Sequence, residues 1–296
     1  MEVMTMFKLL QTFRVVYETR NFSQSAEILF LSQPSVSHQI KQLETELKVE
    51  LFQRKGRQEM IATRQAELLY ARVLNLMDDW QQTVDALAKE SSQQVRCRIA
   101  ASHTFAVYCL PQLMSTLFEE FPNVVFEIDM ANSHEVLEKV AKHEADIGFI
   151  EKPLTTQGIL RRPILKDQLV LVGTPSSGPW LVREKTSGVY HYTKRFFEEE
   201  NITEPTVEIK SNEVIVAMIK KGMGRSILSQ RAVPKGLSYQ KLSESYQRYF
   251  YFIERNHLTS PVMNQVTQML LGFYEKENGR TFTKEKKVPS KTDNKK

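Results

Sequence analysis

Apolar positions in the first fifty residues recur with helical spacing. Leu9, Leu10, Phe13, Val16 and Tyr17 share one side of a 3.6-residue period, which predicts a first helix. The segment "TRNFS" breaks it, and Ser23 is placed to cap a short second helix over residues 24–30, packed through Ala26, Ile28 and Leu29. Leu31 and Ser32 make a tight turn. Ser32 then caps a third helix over residues 33–47, the stretch beginning "LSQPSVSHQIKQLE". Pro34 falls in its first turn, where a missing N–H removes no helical bond. Val36, Ile40, Leu43 and Leu47 form one stripe; at 100° per residue Pro34, His38, Lys41 and Thr45 lie nearly opposite, flanked by Ser37 and Gln42.

Two short β-like runs follow, in "VELFQRKGRQEMIATRQAELL", around the basic turn Arg54, Lys55, Gly56 and Arg57. Thr63 is placed to cap the next helix. From residue 63 to about residue 89 there is neither Gly nor Pro, and Leu69, Val73, Leu76, Trp80, Thr83 and Leu87 keep the alternating 4/3 spacing of a coiled-coil seam. Packing on the chain's own core is the other use of such a stripe. A long helix between two compact units has little core to meet, so the expectation is dimerisation. "KESSQQ", residues 89–94, is the expected hinge. Beyond it the pattern becomes strands alternating with helices: "VRCRIAA", "VVFEIDM", "DIGFI", "QLVLVG", "TVEIK", "RSILS" and "YFYFI" as strands, with helices in "VYCLPQLMSTLFEEF", "HEVLEKVAKH" and "EVIVAMIKKG", around residues 192–200, and over residues 260–276. This is an α/β region of two subdomains, with ligand expected at the carboxyl ends of strands.

Charge changes the picture little. Residues 276–296 hold eight Lys/Arg and three Asp/Glu and so carry the whole net +5, leaving 32 of each sign elsewhere. That tail is polar and aperiodic and is expected to be disordered. No apolar run reaches the roughly 18 residues a membrane span needs, and no signal peptide is legible, so a cytoplasmic protein with no membrane partner is expected. Cys97 and Cys109 lack CxxC spacing and read as buried small apolar residues, a redox pair being the alternative. The six histidines show no metal spacing, and no nucleophile motif occurs, so no metal, cofactor or catalytic residue is expected. "GMGRSI" follows a helix and precedes a strand, the reverse of a dinucleotide loop, and Gly222 reads as a helix C-cap.

Two helices joined by a tight turn, the second with a polar outward face, describe a helix-turn-helix, and a basic hairpin beside it describes a wing. Gln33, Pro34, Ser35, Ser37, His38 and Lys41 are the candidate groove contacts. Gln pairs with adenine, and Ser and His bond base edges or phosphate. Arg54, Lys55 and Arg57 would meet phosphates or the minor groove, and Thr63 the backbone. In the second half, Ser102, His103 and Thr104, then Asn132 and Ser133, then Ser211 and Asn212 follow strands and open helices, where free N–H groups favour anions. Simple capping explains each position equally well taken singly.

The run "NFSQSAEILFLSQPSVSHQIKQLETELKVELFQRKGR" with "ATRQAELL" resembles the winged helix of LysR-type transcriptional regulators over residues 6–69. The family usually carries Arg at the position of His38 and Gly at that of Ala66. "LPQLMSTLFEEFPNVVFEI", "LEKVAKHEADIGFI", "WLVREKTSG" and "AMIKKGMGRSILSQRAV" resemble the same family's effector-binding part, itself similar to type 2 periplasmic binding proteins. The resemblance implies a winged helix-turn-helix over residues 1–62, a dimerising linker helix over 63–90 with Leu69, Val73, Leu76, Trp80 and Leu87 at its seam, an effector-binding region of two α/β subdomains over 91–276, and the tail over 277–296. It further implies a sequence-specific regulator that binds double-stranded DNA as a homodimer or homotetramer and works with RNA polymerase. A small, anionic effector would sit between the subdomains, near Ser102–Thr104, Asn132, Ser133, Ser187, Ser211 and Asn212. "REKTSG" continues into Val189 and Tyr190, where many relatives have Thr-Arg. The rival from another class is a cytoplasmic solute-binding or enzymatic α/β protein whose N-terminal helices serve assembly only.

Overall fold

The structure is a computed structural model that describes residues 2–55, 59–88, 95–174, 178–256 and 260–278. The chain divides into two compact units, Met1–Ser91 and Ser92–Lys296. The hinge residues 89–94 and the tail from residue 279 onward lie outside the described residues.

The first unit is built from α1 (Glu2–Thr19), α2 (Phe22–Leu29), α3 (Gln33–Leu47), an antiparallel hairpin of β1 (Phe52–Lys55) and β2 (Glu59–Ala62), and α4 (Arg64–Ala88). Its core joins Leu9, Phe13 and Val16 of α1 to Ala26, Val36, Ile40 and Leu43 of α2 and α3, closed by Leu51 and Ala66. Burying each large side chain contributes about 1.5–3 kcal/mol, which is what holds two such short helices in place. The cap of α2 is Asn21, not Ser23: its Oδ1 accepts from the amides of Ser23 and Gln24. Asn competes as well as Ser for this role, and starting the helix two residues earlier lets Phe22 pack on the core. Ile28 and Leu47, expected inside, are 52% and 39% exposed, because each lies near a helix end that runs past the edge of the core.

The α4 stripe divides. Ala66 and Val73 are buried in the unit's own core with Leu69 packed against it, whereas Leu76 and Trp80 are 49% and 55% exposed. Val73 is therefore not free to meet a partner: α1 already covers its turn. The side chain of Leu87 lies outside the described residues.

The second unit contains a seven-stranded mixed sheet. Its first part holds β3 (Val95–Ser102), α5 (His103–Tyr108), α6 (Leu110–Glu120), β4 (Val124–Ala131), α7 (Ser133–Ala141) and β5 (Ile147–Ile150). The chain then crosses on β6 (Ile159–Val172) into β7 (Trp180–Val182), α8 (Tyr190–Glu199), β8 (Thr206–Glu208), α9 (Asn212–Lys220), β9 (Ser226–Ser229) and β10 (Tyr239–Lys241), and returns on β11 (Gln247–Arg255) to α10 (Pro261–Asn278). The sheet order is β10-β6-β11-β5-β3-β4, with β9 also on β6; β3 runs parallel to β4 and β5, and β11 antiparallel to β5 and β6. Phe105, Phe149, Phe250 and Tyr274 pack one face of the first subdomain, and Val136, Val140 and Ile253 the other. Ile215 and Leu228, then Trp180 and Tyr246, form the two cores of the second subdomain.

Three expectations change. The helix expected in "VYCLPQLMSTLFEEF" starts at His103 and breaks at Cys109, where Pro111 begins a new first turn. The strand expected in "QLVLVG" is 14 residues long; Arg161, Arg162, Pro163, Lys166 and Asp167 hide its first half from any apolar pattern. Helix α10 runs to Asn278, two residues into the expected tail. Cys97 and Cys109 are both buried, and burial, with Asp146 beside it, pushes the Cys97 thiol up and away from its reactive form.

Candidate functional site

Two places gather the polar side chains singled out by the sequence. In the first unit, Ser32 Oγ accepts from the Ser35 amide at 3.3 Å and Pro34 occupies the first turn, so α3 starts firmly. Glu44 Oε1 accepts from the amides of Leu51 (2.7 Å) and Phe52 (3.3 Å), which ties the far end of α3 to the hairpin. Between these anchors Val36, Ile40 and Leu43 are buried, and Gln33, Pro34, His38 and Lys41 are exposed on the other side, with Ser35 and Ser37 half-buried. The Ser35 hydroxyl is paired with that of Ser32 at 2.7 Å. Arg54 and Lys55 stand on β1 opposite Met60 and Glu59; their side chains, and all of Arg57, lie outside the described residues. Thr63 caps α4 through the Ala66 amide (3.2 Å) and gives its hydroxyl proton to the Glu50 carbonyl (2.7 Å).

In the second unit a cavity of about 110 Å³ lies between the two subdomains. Ser102, His103, Asn132, Ser133 and Glu151 line it from one side, and Arg183, Glu184, Ser187 and Lys210 from the other. Its floor is ionic. Glu151 Oε2 meets Arg248 Nη1 at 2.6 Å, and Arg248 Nε meets Asp167 Oδ2 at 2.8 Å, with all three side chains buried. Ser229 donates to Asp167 Oδ1 at 2.6 Å. Burial opposes the charge on Glu151, yet Arg248, helped by Thr104 and Ser102, outweighs it and holds the carboxyl below its ordinary range. Gly188 is required here, since a Cβ would stand 2.2 Å from Glu151 Oε2. Arg183 grips Glu184 with two nitrogens (2.8 and 3.0 Å) and gives Nη1 to Asn212 Oδ1 at 2.7 Å. Both carboxylates in the wall thus have an arginine partner, whereas Lys210 has no ion-pair partner among the described residues.

Contacts across the cleft hold its mouth. Tyr108 donates to Glu213 Oε1 at 2.8 Å, and His103 Nε2 stands 3.3 Å from Glu213 Oε2. Burial, and next the nearby Arg183, hold His103 below the ordinary imidazole value. Of the residues singled out from the sequence, Ser102, His103, Asn132, Ser133 and Ser187 line the cavity. Thr104 and Asn212 are buried behind it and bond each other at 3.4 Å. Ser211 caps α9 through the Val214 amide and is turned to Glu213. Ser211 is held there because a cap must point back along its own helix. Glu151, Lys210 and Arg248 carry no signal in the local sequence pattern. Arg183 and Glu184 stood in the quoted "REKTSG", but nothing local marks Glu151, whose partner Arg248 is 97 residues away.

Among the described residues no group of His, Cys, Asp and Glu could hold a metal ion, and no helix is long and apolar enough to cross a membrane. A family model described as "Bacterial regulatory helix-turn-helix protein, lysR family" matches residues 7–67, and one described as "LysR substrate binding domain" matches residues 90–274. The chain is 30% identical over 250 residues to the uncharacterised HTH-type transcriptional regulator YeiE of Escherichia coli K12, covering 79% of this chain and 84% of that one. It is 28% identical over 276 residues to the HTH-type transcriptional regulator CysL of Bacillus subtilis, covering 87% and 92%. A full-length OxyR variant of Pseudomonas aeruginosa has the same fold, with a TM-score of 0.60 at 21% identity over 91% of this chain and 94% of that one. The match over the first unit removes the rival in which those helices serve assembly alone. The chain belongs to the LysR family of DNA-binding transcriptional regulators, with an effector-binding domain behind its helix-turn-helix.

Proposed function

We propose that this regulator reads its operator with the first turns of α3 and switches in response to a small anionic metabolite bound in the cleft of the second unit. The carrying observation is the contrast on α3: one face is packed to Val36, Ile40 and Leu43, and the other leaves Gln33, Ser37, His38 and Lys41 to solvent or half-exposed. Phosphate contacts supply affinity and α3 supplies sequence preference. Arg54, Lys55 and Arg57 are the wing's phosphate or minor-groove contacts, and Pro34, Ser35 and Thr63 complete the backbone-facing set. In the cleft, Lys210, a cation with no ion-pair partner among the described residues, meets the anion, and Ser102, His103, Asn132, Ser133 and Ser187 supply hydrogen bonds. Thr104, Asn212 and Ser211 act from behind by holding Glu151, Arg183 and Glu213.

The working form is a homodimer or homotetramer in the cytoplasm that also touches RNA polymerase. Leu76 and Trp80 of α4 are its exposed seam, continued toward Leu87, while Leu69 and Val73 serve the monomer core. Residues 1–62, 63–90 and 91–278 are the reading, linking and sensing segments, and 279–296 a basic tail.

Binding of the intact protein to its own promoter region, followed by fluorescence anisotropy against competitor DNA, tests the reading. Sequence-preferring binding is expected, and Arg57→Ala should weaken all sequences alike and lower the salt slope by about one. Binding without preference, unmoved by Arg57→Ala, would end it. Trp80→Glu should halve the mass seen by light scattering and weaken operator binding, since two half-sites are then no longer held together.

A further inference from the structure

Phe30 is 95% exposed, far more than any other large apolar side chain described in the first unit. It also closes α2 in the left-handed conformation, with φ 54° and ψ 41°. That region is unfavourable for a bulky residue and is filled most readily by Gly or Asn. The position is rigid. The Phe30 amide donates to the Glu27 carbonyl at 3.2 Å, and the next amide, of Leu31, donates to the Ala26 carbonyl at 2.9 Å. Lys48 closes α3 in the same conformation, so the backbone alone does not set Phe30 apart; the apolar ring held out in solvent on a fixed turn does.

We propose that Phe30 is a DNA contact, its ring packing on deoxyribose and thymine methyl groups beside the first turn of α3. This rests on α3 being the reading helix. The turn that holds Phe30 leads in two residues to the α3 cap Ser32, and the exposed Gln33 and Pro34 follow. A duplex offers single apolar features, the thymine methyl and the sugar faces, between its polar groups, and one held ring fits them. A stable protein partner would bury about 800 Å² on this side around an apolar centre. Here Ile28 is the one other large exposed apolar side chain in residues 21–34, among Ser23, Gln24, Glu27, Ser32 and Gln33.

The test uses the full chain carrying Phe30→Asn, Phe30→Ala or Phe30→Tyr, measured for melting temperature, light-scattering mass and anisotropy on the operator. Phe30→Asn should melt at or above the wild-type temperature, because Asn suits the left-handed cap, yet bind the operator about tenfold more weakly. Phe30→Tyr should bind within about twofold of wild type, because the ring is retained. Wild-type affinity in both Phe30→Asn and Phe30→Ala would overturn the inference and leave the reading of α3 intact. A loss of affinity accompanied by a lower mass would also overturn it, since the ring would then serve a second copy of the chain. A wild-type chain without sequence preference would remove the reading of α3 itself, and Phe30 with it.

Discussion

The outer face of α3 and the cleft of the second unit are both rich in polar side chains, but they hold them in opposite ways. On α3, Gln33, His38 and Lys41 stand in solvent on a helix seated from behind by Val36, Ile40 and Leu43. In the cleft wall and just behind it the charged groups are buried and already bonded, Glu151 and Asp167 to Arg248, and Arg183 to Glu184 and Asn212. The first arrangement suits a surface that exchanges water for a large polyanion, with little cost to the free protein. The second suits a small site whose shape is fixed before anything enters, since a buried ion left without its partner is expensive. A polar side chain is thus optional for folding in one region and obligatory in the other.

Arg248→Met strikes the cleft side of that contrast hardest. It leaves Glu151 and Asp167 buried without their shared cation and should cost about 3–5 kcal/mol in denaturant unfolding of the full chain. A loss under about 1 kcal/mol would mean that the ionic floor is no more structural than an exposed pair. Gln33→Ala and Ser37→Ala probe the other side. Each should weaken operator binding by about 1–3 kcal/mol, read by anisotropy, and leave the melting temperature unchanged. If either lowers stability instead, α3's outer face is part of the fold and the contrast fails.

The smallest expected effect is a pH dependence in the cleft mouth. Because burial and Arg183 lower the His103 value, unfolding takes up a proton in acid, so this residue's contribution is full above the ordinary value of 6.5 and is lost as pH falls below it. Melting curves of wild type and His103→Gln should therefore run parallel above about pH 7 and converge or cross below about pH 6. Parallel curves throughout would show an imidazole that titrates as if in water.

The same contrast decides what the sequence made legible. Helix α3 could be read almost whole, because Val36, Ile40 and Leu43 repeat at 3.6-residue spacing and Ser32 and Pro34 mark the start within three residues. The α/β alternation was legible for the same local reason. The long first half of β6 was not, since Arg161, Arg162 and Lys166 interrupt it and its partner β11 lies more than 80 residues on. The cleft floor was hidden more thoroughly: Arg248 joins two acids that stand 81 and 97 residues before it, a relation no local window contains. The division of labour along α4 was hidden too. Val73 and Trp80 occupy the same stripe, and only the position of α1 determines that one is buried and the other, touched by Phe7 alone among the aromatic rings described, stays 55% exposed.

The paired strands β6 and β11 run side by side from Ile159 with Arg255 to Gln168 with Gln247, and the register shifts once, between Phe250 opposite Leu165 and Tyr251 opposite Pro163, so that three residues of β6 span two of β11. A ribbon of two continuous strands resists stretching and shear along its hydrogen bonds but yields readily in torsion, and a bulge is where added twist collects. The two subdomains are thus mounted on a torsion bar with one soft segment. A rotation of one subdomain against the other would have to twist this ribbon, and the bulge between Phe250 and Tyr251 is where that twist would concentrate.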